Sequence, residues 1–352
     1  MRTFPPLRIV HGDAFERIAE LAAFTSGPAR ASLDAGKAWV RDVRAAAGPD
    51  LLGRVERYGL NVYAELATIA LEAPEPRGER ELLAAIDALE PGAFQRRVLG
   101  ADSAMSRAIV SEGAMDRAIG GDRAARAELL ALTGPDRRAR RSIERVLSLE
   151  ATSLRDEIRG IVAEWVERVA RRFSAPSRAA IERDVEARQA AAGRGPAGDR
   201  ALLASATRGV TYEPPDWIGS IALVPVVAIR PFVVPLELRE TAIFLVPVAD
   251  ESLAADPSAP PRQLVKLAAA MGDELRLRAL RVLSDEALTA SEIAERLGVD
   301  RTTIHHHLGI LRSAGLLAIR DEGVSGWRYS VQDEAVRGVG PALDGYLRRT
   351  AG

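Results

Sequence analysis

Cysteine is absent from all 352 residues of this sequence. That absence excludes a disulfide framework, a thiolate metal site and a cysteine nucleophile together. Lysine is scarce, with only Lys37 and Lys266 beside abundant arginine, a bias that points to GC-rich coding and not to a function. Long apolar runs are missing. The most apolar window, residues 218–229, is interrupted by Pro225 and falls well short of the ~20 residues that span a bilayer. The first residues, MRTFPPLRIVHGDAFERI, hold no basic segment followed by an apolar stretch, so the expected location is the cytoplasm, without membrane attachment. Excess charge of one sign is also lacking: the net charge is -1, and any attraction to nucleic acid has to be local. No P-loop, HExxH, Ser-His-Asp set or GxGxxG in a strand-to-helix setting occurs. The chain is therefore expected not to be an enzyme, with no catalytic residue, no cofactor and no metal.

What remains is an apolar content of 47% and a charged content of 28%, the composition of a globular protein long enough for two domains. The expected fold is mostly α (α+β). It comprises a large helical N-terminal domain with a small irregular β-sheet over 1–250, a Pro-rich linker over 251–262, and a C-terminal winged helix-turn-helix domain over 263–352. After a short strand near 7–10, helical periodicity predicts helices near 13–24, 30–46, 50–72 and 78–90. Pro74, Pro76 and Pro91 punctuate them, because proline cannot continue a helix. A broken helical stretch over 92–132 follows. Two long amphipathic helices over 136–192 are expected to divide around 174–176, with Ile158, Ile161, Val162 and Trp165 as the buried stripe of the first. The run Arg137, Arg138, Arg140 and Arg141 reads as a solvated face, with a second nucleic-acid contact as the alternative.

Composition shifts at Thr207. Residues 209–249 are rich in Val, Ile, Leu and Pro and read as three or four short strands. Their prolines confine them to edges or bulges. No second stretch of the chain is expected to provide pairing strands, so the sheet is expected to pack on the preceding helices. A ligand pocket, if one exists, is expected there, lined by Trp165, Tyr212, Trp217 and Phe232; plain core is the competing reading for those aromatics.

The most informative stretch is 289–331, TASEIAERLGVDRTTIHHHLGILRSAGLLAIRDEGVSGWRYSV. Thr289 and Glu292 form a capping box, Ile293, Ala294 and Leu297 share one face, and Gly298 ends the helix. Asp300 is an N-cap for a second helix that runs to Ala314, burying Ile304, Leu308 and Leu311 before Gly315. Two strands, 316–320 and 327–331, then form a hairpin. Helix, turn, helix and hairpin together lay a recognition helix in a DNA major groove. Its outer face offers Arg301, Thr302, Thr303, His305, His306 and Arg312, with no carboxylate between Arg301 and Ala314. Arg301 suits a guanine edge, the threonines suit phosphates at the helix N-terminus, and the histidines suit base edges. Arg320 and Arg328 in the wing are expected to reach the flanking backbone or the minor groove, while Trp327 packs the wing onto the body. Consecutive His305, His306 and His307 point about 100° apart, which disfavours a shared metal; His307 is expected to be a packed histidine. A last helix is expected over 340–349.

Residues 264–283 followed by 289–317 closely resemble the DNA-binding domain of ArsR-type winged-helix transcriptional regulators, collinearly over about 264–331. The blocks RLRAL, SEIAERLGV and HHLGILRSAGLL occur in order. The resemblance implies a bacterial homodimer whose first and last helices form the interface, here Leu264, Leu267, Ala268 and Met271 with Leu343, Tyr346 and Leu347. It also implies double-stranded DNA as partner and repression of a palindromic operator. Cysteine-based metal sensing, common in that family, is excluded at residues 288–292. The pattern VPVVAIRPFVVP with IFLVPV resembles the N-terminal part of longer ArsR-like proteins of actinobacterial type. Two readings of 1–250 stand open: a domain controlled by a small-molecule effector, or a structural and partner-docking region. A winged helix that docks protein without binding DNA is the alternative for the C-terminal domain, favoured by its twelve Lys/Arg against twelve Asp/Glu over 263–352.

Overall fold

The computed structural model describes residues 3–25, 33–101, 103, 110–111, 113–134, 136–207, 212–238, 240–253, 260, 262–321 and 327–348. The chain divides into two compact units, 1–207 with 211–248, and 249–352 together with 208–210. Most of the expected linker, 251–262, lies outside the described residues. Among the described residues no helix is long and apolar enough to cross a membrane.

Unit one opens with β1 (Leu7–Ile9) and α1 (Asp13–Thr25). The helices α2 (Gly36–Val55), α3 (Leu60–Glu72), α4 (Glu79–Ala88) and α5 (Pro91–Val98) follow, then α6 (Ala114–Ile119) and α7 (Arg123–Ala131). Next come α8 (Arg137–Ser148), α9 (Ala151–Trp165), a π-helical turn at Val166–Ala170, α10 (Arg171–Ala191) and α11 (Gly195–Ala206). The strands β2 (Ser220–Val226), β3 (Val234–Leu238) and β4 (Thr241–Pro247) complete the unit.

The sheet order is β1-β2-β4-β3, with β1 parallel to β2, β2 parallel to β4, and β3 antiparallel to β4. This corrects the expectation that no second stretch provides a strand to pair with 209–249: Leu7–Ile9 pairs with Ile221–Leu223 from the far end of the sequence. Both faces are covered, as near-continuous apolar parallel strands require. Ala222, Val224, Val226, Ile243 and Leu245 face the main helical core. Ile221, Leu223, Ala242, Phe244 and Val246 face a second cluster with Phe4, Leu203, Ala206 and Ile218.

Pro225 lies in the inner strand β2, contrary to the edge placement expected of it. Its missing donor is nevertheless harmless. Ile221 donates its N–H to Pro6 at 2.9 Å, toward the β1 side. Alternation aims residue 225 to that same side, and β1 pairs no further than Ile9 with Leu223. Among the described residues the proline therefore sits where no neighbouring strand asks for a hydrogen bond.

The helices also differ from expectation in two places. The break near residues 47–49 is a kink inside α2, where Gly48 takes φ 75° ahead of Pro49. The true interruption falls at 56–59, between α2 and α3. The break expected at 174–176 is instead at Leu149, because the Glu150 carboxylate accepts from the Ser153 N–H at 3.1 Å and starts a new helix. Pro176 is carried within α10.

Unit two begins with α12 (Asp250–Leu253), α13 (Arg262–Met271) and α14 (Glu274–Leu283). It continues through β5 (Leu288–Thr289), α15 (Ala290–Leu297), α16 (Arg301–Ser313), β6 (Leu317–Asp321), β7 (Trp327–Val331) and α17 (Asp333–Leu347). The antiparallel sheet has the order β5-β7-β6. The last helix begins seven residues earlier than the 340–349 expected, and Pro341 lies in its interior. Ala335 and Val339, spaced i and i+4, pack on the unit's core and extend the helix upstream of the proline.

Candidate nucleic-acid interface

The recognition element is built from its ends inward. At the start of α15 the Thr289 N–H donates to Glu292 Oε2 at 2.7 Å, and the Glu292 N–H donates to Thr289 Oγ1 at 3.3 Å. The amide and then the hydroxyl of Thr289 hold the Glu292 carboxyl below its ordinary pKa. Gly298 ends the helix with φ 66°, a left-handed conformation that glycine takes without steric cost. Two residues on, Asp300 caps α16: its Oδ1 accepts the Thr303 N–H at 2.8 Å and its Oδ2 the Thr303 hydroxyl at 2.6 Å.

Ile304, Leu308 and Leu311 are buried at i, i+4 and i+7 among Ile293, Leu297, Leu283 and Leu316. Supports on either side fix the pose of α16. Gln263 Nε2 donates to the Ala314 carbonyl at 2.8 Å, tying α13 to the end of α16. Arg276 donates to the carbonyls of Ala270 and Ala269 at 2.6 and 2.8 Å, closing the end of α13.

His305, His306 and Arg312 lie exposed on the side of α16 away from that core. His307 is half-buried, its Nδ1 3.6 Å from Asp273 Oδ1. It braces α16 against the cap of α14, close to the packed role expected of it. Thr303 is half-buried, with its hydroxyl committed to Asp300. Arg328 departs most from its expected role. Its Nη1 donates to the Ala287 carbonyl at 2.9 Å and lies 3.4 Å from Glu292 Oε2, so this part of the guanidinium fastens β7 to the start of α15. The pairing of β5 with β7, Leu288 with Tyr329 and Thr289 with Arg328, brings the two together; a two-residue strand leaves no periodicity to read. The side chains of Arg301, Thr302, Arg320 and Trp327, and the wing loop 322–326, lie outside the described residues.

The residues expected at a dimer interface divide by exposure. Leu264 and Leu267 are buried within their own unit, and Met271 packs on the same core. Ala268 and the α17 residues Leu343 and Leu347 are exposed, while Tyr346 is half-buried. Val265 and Val336, on the same two helices, are exposed as well.

The aromatics expected to line a pocket in unit one do not converge. Trp165 is fully buried, donating from Nε1 to Glu20 Oε2 at 2.8 Å, and Phe232 packs at the edge of the same core. Tyr212 joins the second cluster, edge-on to Phe244, with its hydroxyl donating to Glu237 at 2.9 Å. Trp217 is 49% exposed. Unit one opens a cavity elsewhere, of about 410 Å³, lined by Gly53, Glu56, Arg57, Arg138, Arg141 and Arg145. The run of arginines signalled Arg138 and Arg141 in the sequence; Arg145 and the residues at the end of α2 had no signal.

Residues 271–320 match the family model of the helix-turn-helix domain. Over 65 residues the chain is 37% identical to an uncharacterized HTH-type transcriptional regulator of Methanocaldococcus jannaschii, covering 18% of this chain and 73% of that protein. The matched segment runs from the end of α13 into β6 and so contains both helices of the motif with their caps. By its helix-turn-helix geometry and these matches, the chain belongs to the helix-turn-helix transcriptional regulators.

Proposed function

We propose that the protein is a DNA-binding transcriptional repressor of the ArsR type, acting as a homodimer on a palindromic operator, with unit one as its effector domain. The observation that carries this reading is the two-sidedness of α16. Ile304, Leu308 and Leu311 are sunk in the core while His305, His306 and Arg312 stand in solvent. No carboxylate interrupts the helix from Arg301 to Ala314. A helix supported on one side and cation-bearing on the other suits a major groove. The exposed apolar residues Val265, Leu343 and Leu347 support association through α13 and α17, since such surface otherwise costs solubility. Two copies would set their recognition helices about 34 Å apart, one turn of duplex.

The deciding experiment captures sheared genomic fragments with the purified full-length chain and with an Arg301→Ala, His306→Ala variant. A recovered palindrome that the variant loses supports the reading. Equal recovery by both sinks the assignment of α16. The balance of twelve cationic and twelve anionic residues over 263–352 favours one competitor, a winged helix that docks protein. A partner retained in high salt and indifferent to both substitutions would select it, because DNA binding weakens steeply with salt.

A further inference from the structure

The cavity in unit one has a chemistry that the helix-turn-helix does not use. Arg138, Arg141 and Arg145 are spaced i, i+3 and i+7, which places them on one face of α8. They face the C-terminal end of α2, where Gly53 and Glu56 lie, with Arg57 just beyond it. Four guanidinium groups thus surround about 410 Å³, a volume within the range of small-molecule sites (~300–1,000 Å³).

Their compensation is incomplete. Arg145 donates to Glu157 Oε2 at 2.8 Å, and Arg57 Nη1 shares the same carboxylate, 3.6 Å from Oε1. Among the described residues Arg141 makes no ion pair, and the buried Nη1 of Arg138 has no hydrogen-bond partner. Among the described residues Glu56 and Glu157 are the carboxylates at the site, two against four cations. Neighbouring acids are engaged elsewhere: Asp136 caps α8 through the amides of Arg138 and Ala139, and Glu144 pairs with Arg140 at 3.1 Å. A buried guanidinium N–H without an acceptor is costly, and the fork of a guanidinium matches a phosphate or carboxylate bidentately.

We infer that this pocket binds a small organic molecule carrying at least two negative charges, as a phosphate group or paired carboxylates, through Arg138 and Arg141. Arg57 and Arg145 share Glu157 and so are already partly compensated. In its consequence the inference rests on the proposed regulator reading, because it gives the effector of that repressor a chemical class; the binding itself does not depend on that reading.

Calorimetric titration of the full-length chain with pyrophosphate, and separately with citrate, tests it at constant ionic strength. Saturable binding of at least one probe, tighter than about 1 mM, is expected. Arg138→Gln with Arg141→Gln should weaken it about tenfold or more, whereas Arg137→Gln with Arg140→Gln, outside the pocket lining, should leave it intact. Gly53→Leu supplies a second route that keeps every charge. A Cβ there meets no atom within 4 Å, so the fold tolerates it while the new side chain occupies the pocket, and binding should be lost. No saturable binding by either probe overturns the proposal. So does equal loss in both arginine pairs, which would mean diffuse surface charge. Displacement of the probe by a short DNA duplex, in a chain carrying Arg301→Ala and His306→Ala, would make the arginines a nucleic-acid contact instead. Genomic capture on the same preparations separates the two readings: anion binding without operator recovery leaves this site standing and the repressor fallen, and the reverse outcome does the opposite.

Discussion

Arg328 Nη1 lies 3.4 Å from Glu292 Oε2, the oxygen that also receives the Thr289 N–H at 2.7 Å. One carboxylate therefore closes the capping box of α15 and anchors the wing strand beside it. Thr289→Ala removes the hydroxyl half of the box and should lower stability by about 1 kcal/mol in urea denaturation. Glu292 adds a pH dependence of known sign. Its folded pKa is depressed, first by the Thr289 amide, so its contribution is present above the ordinary carboxylate pKa and lost as pH falls through the depressed value. The melting temperatures of Glu292→Gln and the native chain should therefore converge in acid and separate toward neutrality. A constant gap across that range would show that the box contributes nothing through charge.

The two faces of α16 should respond in opposite ways. Ile304 is fully buried, and Ile304→Ala should cost roughly 2–5 kcal/mol through lost transfer energy and the cavity left behind. His306 is exposed, so His306→Ala should stay within about 0.5 kcal/mol of the native stability while weakening operator binding. Parallel denaturation and fluorescence-anisotropy titrations make the comparison. A His306 variant that binds as tightly as the native chain would remove that side chain from the recognition surface.

Much of this interface was legible because its signals are local. Thr289 with Glu292, Gly298, Asp300 and the 304-308-311 spacing each act within one or two turns of helix, and the structure places them as the sequence implies. What the sequence hid was set by distant partners. Nothing near Arg328 indicates that its guanidinium turns to Ala287, since that depends on β5 pairing with β7. Leu7–Ile9 and Ile221–Leu223 are joined only through the sheet, and the tolerance of Pro225 follows from where β1 stops. Likewise Arg138 and Arg141 read as a charged run until the end of α2 is placed opposite them. The aromatic pocket failed for a related reason: Trp165 and Tyr212 are drawn into two different cores on opposite faces of one sheet.

Burial of charge in unit one leads to a second pH effect, of opposite sign. Glu16 is fully enclosed, its Oε2 accepting the Val227 N–H at 2.7 Å. Burial, with repulsion from Glu20, pushes its pKa up to about 7. The fold therefore favours the protonated acid. Its contribution is complete below the ordinary carboxylate pKa of about 4.3 and disappears as pH rises through about 7. Glu16→Gln keeps an acceptor for Val227 and removes the titration. The variant should melt at a higher temperature than the native chain at pH 8, with the gap narrowing toward pH 5. Parallel melting curves at all pH values would show that Glu16 stays ionised.

The proposed dimer is tested at residues that the monomer can spare. Leu343 is 45% and Leu347 71% exposed, one turn apart on α17, so replacing both with glutamate removes little from the core of unit two. Buried at a two-fold interface, the same four charges would be forced together, and like charges out of water repel strongly. Leu343→Glu with Leu347→Glu should therefore sediment as a monomer with nearly native melting behaviour, while the native chain sediments as a dimer. The variant should also bind operator more weakly, with roughly half the native dependence on the logarithm of salt concentration, because each half-site contributes its own phosphate contacts. A dimer that survives both substitutions would move the interface away from α17. A native chain that is already monomeric would withdraw the palindrome as well, since its two-fold symmetry has to be matched by two recognition helices.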